Sequence, residues 1–299
     1  MTQAVDFFVD GPEGKLSVRS KGLADRPERV VVLVQGSNLS GQTGYDFSFP
    51  GANDYSMMDA LSDRSKGGGL GTVTFSLRGY GASEPPDDPL SCGTESAIDD
   101  LAAIMDWLSA QGYPSAALLG WSWGARIGGR YAVANPDRVS RMVMLGPAIG
   151  GGDPVLPAPT DPWWYNTREE YRRRLDPDLM EPDALEALIE HITSCDPRAP
   201  NAIRVENAAG SVPIDPSALL CPTLLLYGNL GGRAVYMNGV MKRELFFEAL
   251  ATDDKQLVVV PDSSDYVMFQ RRRRQVQRIV LEFLTAQTFP ASSRLPARI

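Results

Sequence analysis

The chain has 299 residues, 43% of them hydrophobic, which is enough for one substantial core and does not force a second domain. Its formal net charge of −8 argues against a nucleic-acid partner, because phosphate contacts need a basic face. No apolar run approaches the roughly 18 residues of a membrane span, and Met1 to Asp10 lack the basic and apolar parts of a secretory leader.

Val5–Val9 and Lys15–Arg19 are two short strand-like pieces around a Gly-Pro-Glu-Gly turn. Arg29–Val34 is a continuous β-branched run, as in a strand buried on both faces of a parallel sheet, and it ends in Gln35-Gly36-Ser37-Asn38. Thr72–Leu77 repeats the pattern ahead of Arg78-Gly79-Tyr80-Gly81. Thr94–Gln111 carries Ile98, Leu101, Ile104, Met105 and Leu108 at helical spacing, giving one buried stripe. Ala116–Leu119 is a third buried strand running into Gly120-Trp121-Ser122-Trp123-Gly124, and a helix follows until Pro136 ends it. Val139–Leu145, Thr223–Tyr227 and Gln256–Val260 are further strands of the same buried type. Their alternation with helices predicts an α/β fold, a mostly parallel twisted sheet with helices on both faces.

The stretch Gly150–Ser217, between the fourth and fifth of these strands, is different. It is rich in Pro, Trp and charge, has helical pieces at Thr167–Leu175 and Pro182–Thr193, and shows no strand run of its own. It reads as a small helical cap lying over the sheet. The expected organisation is therefore a core of residues 1–149 and 218–289, a cap of 150–217, and a loose tail of 290–299. Arg271-Arg272-Arg273-Arg274 opens a last helix with Val276, Ile279, Val280, Phe283 and Leu284 at helical spacing, and the arginines read as its solvated face.

Gly120-Trp121-Ser122-Trp123-Gly124 is a G-x-S-x-G pattern between a buried strand and a helix. Small residues two before and two after the serine let the backbone fold back and lift the hydroxyl above the sheet. The amides that open the helix face the same spot and suit a developing oxyanion. The segment resembles the nucleophile elbow of the α/β-hydrolase superfamily. The likeness runs from about Val5 to Leu284. Val32-Leu33-Val34-Gln35-Gly36-Ser37 resembles that family's strand and His-Gly segment, and Ser76 to Ser83 resembles its Asp-x-Arg-Gly-x-Gly-x-Ser loop. Cys221 to Gly228 resembles the strand before the catalytic acid, and Val259 to Asp265 the strand and loop that carry the catalytic histidine. The resemblance implies an α/β-hydrolase fold and an oxyanion hole made by the amide of Trp123 with that of Ser37 or Asn38.

The family pattern then fails at its base and acid. Three residues past Gly228, where the acid is expected, stands Gly231; at the histidine position stands Asp265; and Gln35 replaces the histidine of His-Gly. The one histidine of the chain, His191, lies in the expected cap. A serine needs a base near neutral pKa to attack an acyl carbon, and removing a triad histidine costs on the order of 10⁶ in kcat. Three readings follow. In the first, Ser122 and Asp265 run non-hydrolytic acid/base chemistry such as cyclisation, elimination or isomerisation. An apolar surrounding of Trp121, Trp123 and cap aromatics would suit Asp265 to hold and release a proton near neutral pH. In the second, an ester or lactone hydrolase uses a substitute base, either His191 or water activated by Asp265, with Asp153 as a displaced acid. In the third, a catalytically retired hydrolase binds a small molecule.

Trp163 and Trp164 are expected walls of a pocket for a small, hydrophobic or aromatic molecule. Arg78 is expected to pin its own loop, and Tyr227 and Asn229 stand near the missing acid. Cys92, Cys195 and Cys221 form no C-x-x-C pair, and no His/Cys/Asp cluster has ligand spacing. A cytoplasmic protein with no metal and no cofactor, acting on a small molecule and not on nucleic acid or membrane, is the expectation.

Overall fold

The apolar runs become the strands of one sheet in the computed structural model, which describes residues 2–151, 157–231 and 243–287. β1 (Ala4–Gly11), β2 (Gly14–Lys21), β3 (Val30–Val34), β4 (Gly71–Phe75), β5 (Ala116–Trp121) and β6 (Val139–Leu145) form its first six strands. β7 (Trp163–Tyr165) and β8 (Arg198–Pro200) pair separately, and β9 (Thr223–Gly228) and β10 (Lys255–Val260) complete the sheet in the order β1-β2-β4-β3-β5-β6-β9-β10. The β1–β2 and β2–β4 pairings are antiparallel and all the others in this sheet are parallel.

Helices cover both faces, and the period of two in each strand divides the core. Val30, Val32 and Val34 of β3 face the cluster that holds α3 (Thr94–Ala110) and α4 (Trp123–Ala134), through Leu101, Ile104, Leu108 and Ile127. Val31 and Leu33 face the opposite cluster, built with α1 (Gly41–Tyr45), α2 (Met57–Ser62) and α9 (Arg273–Thr285). Every residue of β3, β5 and β9 is buried, which is why their sequences read as unbroken apolar runs. β10 departs from that expectation. It is an edge strand with Val259 47% exposed, flanked by α8 (Arg243–Ala249), a helix the sequence pattern did not single out.

Between β6 and β9 the chain forms β7, α5 (Arg168–Leu175), α6 (Pro182–Cys195), β8 and α7 (Ala202–Ala209). The strandless reading of this stretch is corrected by the antiparallel β7–β8 pair, whose three-residue strands are too short to show an alternating pattern. The arginine run is corrected as well. Arg273 is buried, bonded to Asp54 and Glu181 and laid 3.8 Å from the Tyr55 ring centre, so one of the four arginines is a pillar of the fold. Arg78 forks onto Asp100 and ties the loop after β4 to α3. No helix among the described residues is long and apolar enough to cross a membrane.

Candidate active site

Ser122 sits between β5 and α4 with φ 54° and ψ −115°, a left-handed conformation that a non-glycine residue holds only under strain. The glycines on either side explain how the turn closes. A Cβ on Gly120 would collide with the carbonyl of Gly124, and one on Gly124 with the carbonyl of Val34. The Ser122 amide donates to Leu145 O at 2.9 Å, and its carbonyl accepts from Ala148 N at 3.0 Å, so the turn is locked to the end of β6. Trp123 is the first residue of α4, and its N–H has no partner one turn back in the helix. Trp123 lines the same cavity as Ser37 and Asn38, which follow β3.

Two loops laced together bring the substituted positions into contact. Asn229 N donates to Val260 O and Leu230 N to Ser263 O, which sets Gly231 against Asp265. A Cβ at Gly231 would stand 2.8 Å from the Asp265 Cγ and closer still to Oδ1. The carboxylate of Asp265 thus fills the space that a side chain at 231 would need. The apolar isolation expected for Asp265 is not found: Nη2 of Arg243 in α8 donates to both of its oxygens, at 3.0 Å each. Trp121 Nε1 donates to the Asp265 backbone carbonyl at 2.8 Å, and the indole packs against Gly36, Tyr266 and Phe269.

Ser122 and Asp265 line one cavity of about 140 Å³, with Trp121, Trp123, Ser37, Asn38, Ile203 and Tyr266 among its walls. Arg126, Arg174 and Arg204 line it too, and nothing in the sequence reading had marked them. Arg126 was the findable one, four residues after Ser122 and so one helical turn above it. Burial pulls its guanidinium below the ordinary value, opposed by Glu206, which it meets at 3.1 Å. Burial also acts to lower Arg174, but Tyr266 and Glu170 outweigh it and hold that guanidinium above its ordinary value. All three stay cationic.

The other expected residues stand elsewhere. Gln35 is buried with its Oε1 accepting from Leu77 N at 3.0 Å, so it braces the loop after β4 and is absent from the cavity wall. Neither Trp163 nor Trp164 is among the described lining residues. Trp163 carries Arg198 at 4.0 Å, and Trp164 carries Arg204 at 3.9 Å and Arg174 at 5.3 Å. His191 packs its ring on Phe47 and reaches Thr43 Oγ1 at 3.5 Å and Cys195 Sγ at 3.8 Å, outside the described cavity lining. Burial pushes its imidazole down from the ordinary value. Tyr227 gives its hydroxyl to Glu244 at 2.6 Å, and Asn229 accepts from Ser263 N. Asp153 and the tail 290–299 lie outside the described residues.

A family model described as alpha/beta hydrolase fold matches residues 30–184, just over half of the chain. Among curated proteins, the chain is 29% identical over 114 residues to 2-hydroxy-6-oxononadienedioate/2-hydroxy-6-oxononatrienedioate hydrolase 2 of Pseudomonas putida, covering 38% of each. It is 22% identical over 269 residues to epoxide hydrolase 3 of Xenopus tropicalis, covering 78% of this chain and 68% of that one. The chain thus spans well under two thirds of the first relative's length. The enol-lactonase from Burkholderia xenovorans superposes with a TM-score of 0.65 at 19% identity, over 94% of this chain and all of that one. A serine hydrolase involved in carbazole degradation gives 0.68 at 16% identity, over 95% and 100%. With the elbow, the strand order and the family match in agreement, the chain belongs to the alpha/beta hydrolase fold family.

Proposed function

We propose that the chain is an enzyme that acts on a small carbonyl compound by proton transfer, without an acyl-enzyme, in a cyclisation, elimination or isomerisation. The carrying observation is the composition of one cavity: a strained elbow serine, the Trp123 that follows it and a carboxylate at the histidine position, with no imidazole among the described lining residues. In this reading Asp265 removes a proton from the carbon next to the carbonyl. The electron pair moves onto the carbonyl oxygen, which the amides of Trp123 and of Ser37 or Asn38 and the Ser122 hydroxyl hold. An aspartate serves as base for a carbon acid where such donors stabilise the enolate. The pair then returns in one of three ways, each with the Asp265 proton given back: to another carbon, to a departing leaving group, or to the oxygen of an electrophilic carbonyl that the carbon attacks within the same molecule. Residues 150–217 act as the cap, since Arg174, Ile203, Arg204 and Asn207 supply one side of the cavity.

Hydrolysis is the second reading, with Asp265 orienting water, and it draws on the hydrolase names of the relatives. A fluorophosphonate separates the acyl-enzyme route from both. Without a base, phosphonylation of Ser122 should be on the order of 10⁶ slower than at a complete triad. Rapid stoichiometric labelling that Ser122→Ala removes would overturn the proposal.

A further inference from the structure

We infer that the cavity takes its substrate as a small carboxylate, with the anionic group held by Arg174 and Arg204. Placing the substrate's carbonyl at Ser122 rests on the function proposed above; the anion subsite does not.

The chain is acidic overall, yet this cavity is lined by three guanidiniums and one carboxylate among the described residues. That carboxylate, Asp265, is engaged by Arg243 on both oxygens. Glu206 and Glu170 stand behind Arg126 and Arg174 and fix their orientation, and neither lines the described cavity.

Arg174 comes from α5 and Arg204 from α7, and both meet the ring of Trp164, at 5.3 and 3.9 Å from its centre. Bringing two like charges to one indole costs repulsion, which the ring face offsets in part and an anion beside them would offset further. The forks are held for use. Arg204 donates to Asn38 Oδ1 at 2.7 Å and to Asn201 Oδ1 at 3.1 Å, and Tyr266 and Glu170 hold Arg174. Planar guanidiniums match the two oxygens of a carboxylate.

Size sets the class further. A cavity of about 140 Å³ is close to one that takes a benzene ring, so the ligand has on the order of six to ten non-hydrogen atoms. Trp121, Ile203 and Tyr266 offer its carbon body an apolar side. A short oxo acid fits this description.

The test is calorimetric titration of 2-oxobutanoate against its neutral amide, 2-oxobutanamide, which has the same shape without the charge. The wild type should bind the acid at least about tenfold tighter. Arg174→Gln and Arg204→Gln should each weaken binding of the acid more than binding of the amide and so remove that preference, and Arg174→Lys should keep part of it. Should Arg204→Gln fail to fold by circular dichroism, the Arg174 pair carries the test. Equal binding of acid and amide, or a preference that survives both glutamine variants, would overturn the inference. So would tighter binding of acetylphosphonate than of the acid. Labelling of Ser122 is read separately: fast labelling with an intact acid preference sinks the proton-transfer reading and keeps the carboxylate site.

Discussion

Adding one methyl group at Gly231 tests the relation between the two substituted positions. Gly231 has no left-handed φ, so the main obstacle to alanine is the Asp265 carboxylate, whose Cγ would lie 2.8 Å from the new carbon, with the Gly228 carbonyl a lesser one at 3.1 Å. The carboxylate is the movable partner and must swing off Arg243, giving up two charge-assisted bonds of 3.0 Å. Hydrogen bonds to charged groups net about 1.5–3 kcal/mol when buried. The side chains here are 5% and 23% exposed, so the pair is worth less, about 1–3 kcal/mol in all. Gly231→Ala in the wild type should therefore cost about 1–3 kcal/mol in urea unfolding, and clearly less in an Asp265→Ala background, where only the tight contact with the Gly228 carbonyl remains. In that background, reduced unfolded-state freedom offsets part of the remaining cost. A coupling energy below about 0.5 kcal/mol would show that Asp265 does not occupy the space of the missing side chain.

Three other outcomes follow from the same contacts. Gly231→Asp with Asp265→His should produce weak, Ser122-dependent hydrolysis of p-nitrophenyl acetate, and Gly231→Asp alone should not; activity in the single variant would mean a base already exists. His191→Gln should leave Ser122-dependent chemistry unchanged, because the ring packs on Phe47 outside the described cavity lining. Its lowered folded pKa means the unfolded chain binds the extra proton, so wild-type stability falls relative to the variant as pH drops from about 7 to about 5, and a parallel or opposite trend refutes this. Arg273→Met should cost about 3 kcal/mol because it strips a buried cation from Asp54 and Glu181, whereas exposed Arg274→Ala should cost under about 1 kcal/mol; equal losses would contradict the pillar role.

What the sequence disclosed is what short-range pattern encodes. Gly120 and Gly124 mark the elbow because only a missing side chain clears the backbone of Gly124 and Val34. The all-buried strands mark the sheet because both faces exclude polar residues. The pairing of 231 with 265 was legible only through resemblance, since 34 residues of chain and two parallel strands bring the loops together. The cationic wall was hidden for a related reason. Arg174 and Arg204 lie on separate helices whose meeting depends on the β7–β8 pair and on Trp164, and arginines on amphipathic helices ordinarily read as solvated. Trp163 and Trp164 stood out by size, yet their part is to carry arginines. Gln35 stood at a family site position, but its side-chain oxygen accepts from Leu77 N and is absent from the described cavity lining.

The central claim is that Asp265 moves a proton beside a carbonyl held at Ser122. Deuterium exchange at the C3 methylene of 2-oxobutanoate and of its amide, followed by proton NMR in D₂O, reads that step without knowledge of the natural product. Exchange should be accelerated by the wild type, lowered by Ser122→Ala, and reduced about 10²–10⁴-fold by Asp265→Asn in a protein that still folds. No enzyme-dependent exchange of either compound, or wild-type exchange surviving in Asp265→Asn, would contradict the account.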